Sequence, residues 1–436
     1  MKEVIRSADP RVAALIDRQA TQFVDRDYLN LDRIAALLDR LGRPQDRLPP
    51  IFHVAGTNGK GSTCAFLRAA LEAAGKRVHA FTSPHLVRYN ERIRISGQLI
   101  DDSMLAELMT RVVDANDAAG ASLFEVNTAV AFLAFAETSA DACILEVGLG
   151  GRLDATNVVE QPLVCGIASL GLDHQAFLGK TLVEVGAEKA GIAKRGVPLL
   201  TQLYAPAVAD RIGEIAMAAG AVWEPRGLHW HASVRREKLR YRDRQGELEL
   251  PLPRLPGKHQ ALNAALAVAM LRHQTAIEVT QSALTAAMGW ANWPARLQQL
   301  HTGPLFSMLP RGSELWVDGG HNPSAARLVA DYAGKHWQDG KPLVLLFASL
   351  QSKDAAGTLR PFKGLAAEVL TLPIDGHECR TPQELAHLAE SMGLPARARS
   401  GLADAMTALR KPARVLVFGS LYLAGELLGL NGPMPD

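Results

Sequence analysis

The run Val54-Ala55-Gly56-Thr57-Asn58-Gly59-Lys60-Gly61-Ser62-Thr63 brings glycines, one lysine and hydroxyls together at a spacing suited to a nucleoside triphosphate. Glycines let backbone N–H groups approach phosphate oxygens, and Lys60 offers a mobile cation to the β- and γ-phosphates. Ser62 or Thr63 can bring a hydroxyl to magnesium. The spacing departs from the common phosphate loop, where Ser or Thr follows the lysine directly; here Gly61 intervenes.

Other clusters carry chemistry of the same kind. Glu146 closes the apolar run Ile144-Leu145-Glu146-Val147 and opens Gly148-Leu149-Gly150-Gly151-Arg152-Leu153-Asp154-Ala155-Thr156-Asn157. A carboxylate leaving a strand beside a phosphate loop is a natural magnesium ligand. Ser83, in Phe81-Thr82-Ser83-Pro84-His85, and His174, in Asp173-His174-Gln175, are further metal-binding candidates, although a lone histidine is more often structural. Lys189 precedes a glycine stop in Glu188-Lys189-Ala190-Gly191-Ile192, where the plain alternative is a surface lysine paired with Glu184 or Glu188. Asp318-Gly319-Gly320-His321-Asn322-Pro323 offers a carboxylate for a ribose hydroxyl and an imidazole near phosphate or base. Asn322 as N-cap and Pro323 at the first helical position account for part of that motif without function.

The elements that must hold these groups alternate between strand and helix. Ile51–Val54, Arg77–Phe81, Ala142–Val147 and Leu163–Ala168 read as strands separated by helical stretches, among them Ala65–Ala74 and the buried helix around Thr128–Ala136. That alternation predicts a parallel α/β sheet. A polar, strand-like stretch from Trp230 to Leu250 ends in the Pro-rich passage Leu250–Gly257, and an alanine-rich helix, Ala261–Leu271, follows. The rhythm restarts after Arg296 with strands at Leu315–Val317, Leu343–Phe347, Val369–Leu372 and Val415–Phe418. The expected architecture is therefore α/β, with an N-terminal P-loop-type parallel sheet domain over residues 1–296. A smaller Rossmann-like α/β domain follows over 297–436. Ligands of open α/β sheets bind beyond the carboxyl ends of the strands, which places the site in the cleft between the domains.

At 436 residues with net charge +2 and interspersed signs, the chain has no electrostatic footprint for nucleic acid. Its four cysteines, Cys64, Cys143, Cys165 and Cys379, lack CxxC spacing and read as thiols of a reducing compartment. The N-terminal Met1-Lys2-Glu3-Val4-Ile5-Arg6 lacks the continuous apolar segment of a secretory signal, and the most apolar stretch is too short to span a bilayer. A cytoplasmic, monomeric enzyme with small-molecule partners is expected, without nucleic-acid or membrane partners.

Taken together, the motifs resemble the Mur ligase superfamily and, within it, folylpolyglutamate synthase and the bifunctional dihydrofolate synthase. The resemblance rests on Gly56–Ser62, Thr82–Leu86, Glu146–Asn157, Glu188–Ile192, Asp318–Pro323 and Phe418-Gly419-Ser420-Leu421-Tyr422, in family order across nearly the whole chain. Two small-residue departures stand out: Gly320 where the family usually has Ala, and Ala295 where it usually has Gly.

The resemblance implies that ATP phosphorylates a pterin carboxylate and that the amine of L-glutamate attacks the acyl phosphate. Dihydropteroate and a reduced folate are the implied acceptors. It implies nucleotide contacts from Gly56, Thr57, Asn58, Gly59, Lys60, Gly61, Ser62, Asn263, Arg296, Asp318 and His321, with Lys60, Lys189 and His321 as catalytic groups. Magnesium at two sites falls to Ser83, Glu146 and His174, and Lys189 matches a lysine that the family carbamylates. Substrate contacts fall on Leu29, Asn30, Leu31 and Asp32, on Ser122, Leu123, Phe124 and Glu125, and on Leu153, Asp154 and Ala155. A peptidoglycan Mur ligase is disfavoured by Gly61 and by the Gly-Leu-Gly-Gly-Arg-Leu-Asp motif. A non-enzymatic nucleotide-binding module fits less well with so many metal, phosphate and substrate candidates.

Overall fold

A computed structural model describes residues 9–22, 29–117 and 119–432; Met1–Arg6 lies outside them. The first sheet contains β1 (Ile51–Ala55), β2 (Val78–Phe81), β3 (Ile93–Ile95), β4 (Gln98–Leu99), β5 (Ala142–Glu146), β6 (Val164–Ile167), β7 (Pro198–Thr201) and β8 (Val222–Pro225). Their order is β4-β3-β2-β5-β1-β6-β7-β8, parallel from β2 to β8, with β3 and β4 as an antiparallel edge. β1, β2, β5 and β6 are buried along their whole length, as continuous apolar strands covered by helices on both faces must be. Val54 stands level with Glu146 of β5 and Gly166 of β6, so the loops leaving these three strands emerge side by side.

β9 (His231–Arg235), β10 (Lys238–Asp243) and β11 (Gly246–Pro251) form a separate antiparallel sheet, the polar strand-like stretch expected there. A second parallel-dominated sheet contains β12 (Gln298–Leu300), β13 (Glu314–Val317), β14 (Leu343–Phe347), β15 (Ala366–Thr371), β16 (Ala396–Ala398) and β17 (Arg414–Phe418). Its order is β12-β13-β17-β14-β15-β16, antiparallel only between β12 and β13.

The helix Lys60–Ala73 packs with Lys258–Arg272 and Gln281–Trp290 on one face of the first sheet, burying Phe66, Leu67, Leu266 and Met270. Each such large apolar side chain contributes roughly 1.5–3 kcal/mol on leaving water. Leu123–Glu137 covers the other face and is buried almost all round, as its unbroken apolar composition requires. Ser122 and Glu125 close its N-terminus with a capping box.

The first sheet is wider than the sequence reading had it. β7, β8 and the β3–β4 hairpin are short or partly polar and carry no clear period, as with the edge strands β12 and β16. Cys64, Cys143 and Cys165 are buried free thiols and Cys379 is a half-buried one. Among the described residues, no helix is long and apolar enough to cross a membrane.

Candidate active site

A cavity of about 1400 Å³ lies between the carboxyl ends of the two parallel sheets and is lined from both. The phosphate-loop helix starts at Lys60, behind Gly59 at φ 87°, with no side chain capping it. Its first backbone N–H groups and the positive end of its dipole are therefore available to an anion. A Cβ at residue 59 would sit 2.4 Å from Asn263 Oδ1, and one at residue 61 would sit 2.4 Å from Trp293 Cζ2. The glycine that breaks the usual phosphate-loop spacing is thus required by the indole lying across it.

The two hydroxyls after Gly61 differ. Thr63 Oγ1 donates to Gly59 O at 2.9 Å, whereas Ser62 Oγ is buried with no hydrogen-bond partner. Glu146, at the end of β5, is 4% exposed and accepts one long bond from Ser83 N–H at 3.3 Å. Burial pushes its carboxyl above the usual range, against the pull of Lys60. Ser62, Ser83 and Glu146 offer hard oxygen donors of the kind magnesium takes, and the unused Ser62 hydroxyl fits such an ion. Among the described residues no group of three His, Cys, Asp or Glu side chains converges on a metal position.

Lys189 overturns the surface-lysine alternative. It is 3% exposed, on the helix Leu182–Ala190, and its Nζ donates to Gly150 O at 3.3 Å. Glu184 instead caps that helix with Thr181, and Glu188 holds Arg152 at 2.9 Å. Burial, reinforced by Lys60, lowers the Lys189 amine to about 7. Below Gly150, Asp154 accepts from Leu149 N–H at 2.8 Å and from Thr156 N–H and Oγ1–H at 3.0 and 2.6 Å, which fixes the glycine turn.

The second sheet supplies the opposite wall. Asp318 is buried beyond β13 and accepts Leu297 N–H at 2.9 Å and Gly320 N–H at 2.7 Å, tying the Trp293–Leu297 crossing to the second sheet. Burial raises its carboxyl, with Arg296 opposing. Ala295, where the family usually has glycine, sits at φ 54°, a conformation that glycine adopts without strain. At Gly320 a Cβ would meet Phe418 at 2.7 Å and Asp318 Oδ1 at 2.9 Å, so alanine there would need a shift. Asn322 does cap the following helix, through Ala325 N–H, with Pro323 at its first position.

The same turn crosses the cavity. Asn58 Nδ2 donates to Ser324 Oγ at 2.6 Å, and Asn322 Nδ2 returns to Asn58 Oδ1 at 3.0 Å. His321 Nδ1 faces Gly319 O at 3.0 Å and its Nε2 faces Asp173 Oδ2 at 3.1 Å. Burial would raise the Asp173 carboxyl, but the His321 hydrogen bond and the charges of His321 and Lys353 hold it well below the usual carboxylate range. His174 adopts φ 48° and its Nε2 lies 3.3 Å from Lys353 Nζ.

All the expected nucleotide and metal residues line this one cavity, as do Lys189, Leu29, Asn30, Ser122, Phe124, Glu125, Leu153, Asp154 and Ala155. Leu31, Asp32 and Leu123 do not: Leu31 and Leu123 pack into the core beneath, and Asp32 is exposed at the start of its helix. The sequence reading singled out neither Asp173 and Lys353 as site residues nor Trp293. Lys353 follows β14 at its carboxyl end, where a general rule for α/β sheets directs attention.

No protein-family model matches the chain. The dihydrofolate synthase/folylpolyglutamate synthase of Escherichia coli (strain K12) is 34% identical over 402 residues, covering 92% of this chain and 90% of that protein. The structure of E. coli FolC in complex with DHPP and ADP superposes with a TM-score of 0.85 at 32% identity, over 96% of each chain. A bifunctional folylpolyglutamate synthase/dihydrofolate synthase with Mn, AMPPNP and L-glutamate bound gives 0.84 at 30% identity, over 96% of this chain and 97% of that one.

Proposed function

The chain belongs to the dihydrofolate synthase/folylpolyglutamate synthase family, and on that premise we propose how its cavity works. It is an ATP-dependent ligase that joins L-glutamate to a pterin carboxylate, with dihydropteroate as acceptor in one activity and tetrahydrofolate in the other. One observation carries the reading: an uncapped helix N-terminus, a lysine and a buried carboxylate meet a second sheet's Asp318 and His321 around one cavity.

The acceptor carboxylate is a poor electrophile, because direct attack would expel an oxide-like leaving group. Transfer of the γ-phosphoryl group to a carboxylate oxygen releases ADP and converts that oxygen into part of a good leaving group. The amine of glutamate then attacks the acyl carbon, and phosphate departs with the oxygen. The protein's task is positioning and charge neutralisation. The helix N-terminus and Lys60 hold the β- and γ-phosphates, while Asn263, Arg296, Asp318 and His321 hold the rest of the nucleotide. Ser83, Glu146 and His174, with Ser62 beside them, would hold magnesium in two sites. When bound, magnesium neutralises phosphate oxygens.

Lys189 is the position for carbamylation: a buried amine held near 7 is substantially unprotonated at neutral pH, the form that reacts with carbon dioxide. The carbamate would turn a buried cation into an anion beside the cation sites. Leu29, Asn30, Phe124 and Leu153–Ala155 form the wall proposed for the pterin. Residues 1–296 and 297–436 act as the two domains that close on the substrates. A monomeric enzyme in the cytoplasm is the proposed form.

The test uses purified protein with ATP, magnesium and L-glutamate, offered either dihydropteroate or tetrahydrofolate. ADP release that depends on both glutamate and pterin, with a product heavier by one glutamyl residue from each acceptor, is expected. Product from tetrahydrofolate alone would limit the chain to folylpolyglutamate synthesis. ADP release indifferent to the pterin would remove the ligase reading.

A further inference from the structure

Three side chains from the second half of the molecule converge on one carboxylate of the first. Asp173, in the loop after β6, has a side chain only 8% exposed. Its Oδ2 accepts His321 Nε2 at 3.1 Å and Asn322 Nδ2 at 3.3 Å, and its Oδ1 accepts Lys353 Nζ. His321 and Asn322 leave β13, whereas Lys353 leaves β14, so one carboxylate ties two separate loops of the second sheet to the first.

These loops are themselves held firmly. Lys353 N–H donates to Leu350 O at 3.2 Å, Asp354 caps the next short helix through Gly357 N–H at 2.8 Å, and Gln351 N–H donates to Glu378 O at 3.1 Å. His321 is fixed from its other side by Gly319 O. The Lys353 side chain is 11% exposed, so its ammonium has exchanged most of its water for Asp173 and His174. Buried, charge-assisted bonds of this kind are strong and directional, and removing one partner leaves the others desolvated without compensation. The Asn58–Asn322–Ser324 contacts nearby are neutral.

We propose that Asp173 is the latch of the active-site cleft: a positioning residue that holds the two sheets together across the cavity and aims His321 and Lys353 into it. The proposal rests on the ligase reading for its kinetic consequence but not for its structural one. The phosphate loop, Glu146 and the proposed pterin wall all belong to the first half, and none of them bonds to the Asp173 carboxylate directly. Loss of the latch should therefore appear in the step that needs both halves aligned, while pterin binding survives. Lys353 and Asp173 should act as one unit.

The experiment pairs kinetics with a distance. Spin labels at Glu237→Cys and Lys363→Cys, both exposed and one on each half, report the separation of the halves in a Cys379→Ser background. Without ligands, the parent should give one narrow distance and Asp173→Ala a second, longer population. In turnover assays, Asp173→Ala should lower kcat at least 30-fold and leave the pterin KM within about threefold. Lys353→Ala added to it should cost less than a further threefold.

An unbroadened distance in Asp173→Ala would overturn the latch, and so would kcat within threefold of the parent. Multiplicative losses in the double variant would also overturn it. If Asp173→Ala fails to fold, Asp173→Asn replaces it: its amide presents a donor to His321 and Lys353, and the same readouts apply. A parent with no ligase activity would count against the proposed function, while the distance measurement would still decide the latch.

Discussion

The Trp293 indole lies so close across Gly61 that a single methyl group on residue 61 would sit 2.4 Å from its Cζ2. Trp293 belongs to the segment crossing between the sheets and Gly61 to the first turn of the phosphate-loop helix, so the nucleotide loop and the crossing are fitted to each other. Gly61→Ser restores the hydroxyl that directly follows the lysine in the common phosphate loop, yet it should harm this enzyme. We expect a KM for ATP raised about tenfold and a stability loss of about 1–3 kcal/mol from overpacking. Trp293→Ala in the same chain should recover part of the stability. Thermal unfolding and ATP titration of the two variants check this, and a Gly61→Ser protein indistinguishable from the parent would show that the indole yields freely.

Lys60→Ala should abolish turnover, by several orders of magnitude, while leaving the fold intact, because the side chain serves charge neutralisation rather than packing. Circular dichroism and ADP release measure the two halves of that statement. Near-native product formation would remove the phosphate-loop assignment.

Glu146→Gln keeps size but removes charge from a carboxylate that burial already disfavours. Turnover should fall and the magnesium concentration for half-maximal rate should rise at least tenfold. A magnesium titration that does not move would make Glu146 a structural residue of the β5 terminus.

The phosphate loop, the strand-end glycine motifs and the core strands were legible in the sequence because each is a local requirement. Phosphate binding needs glycine and lysine within a few residues, and buried parallel strands need short unbroken apolar runs. The burial of Lys189 was not, since Glu184 and Glu188 made an equally good local partner set until Thr181 and Arg152 claimed them. The Asp173 junction was out of reach for a different reason: its partners lie 148, 149 and 180 residues away, and only the packing of one sheet against the other brings them together. Leu31, Asp32 and Leu123 were read with their neighbours as a block, but helix geometry turns adjacent residues to different faces.

Carbamylation of Lys189 has a definite pH sign. The reaction consumes the neutral amine, so it is favoured as pH rises through about 7 and opposed below it. Enzyme freed of carbon dioxide should regain activity on adding bicarbonate about tenfold faster at pH 8 than at pH 6, at matched dissolved carbon dioxide, from the unprotonated fraction of such a group. Lys189→Ala should lose activity that small carboxylic acids partly restore. Full activity in the alanine variant would refute the modified lysine without touching the ligase assignment.

The central claim is that the cavity activates a carboxylate by phosphorylating it, and an oxygen label tests that directly. Dihydropteroate carrying ¹⁸O in its carboxylate is turned over with unlabelled ATP and L-glutamate, and the phosphate released is weighed by mass spectrometry. The account predicts one ¹⁸O in phosphate for each glutamyl product formed. Glutamyl product accompanied by unlabelled phosphate would contradict it.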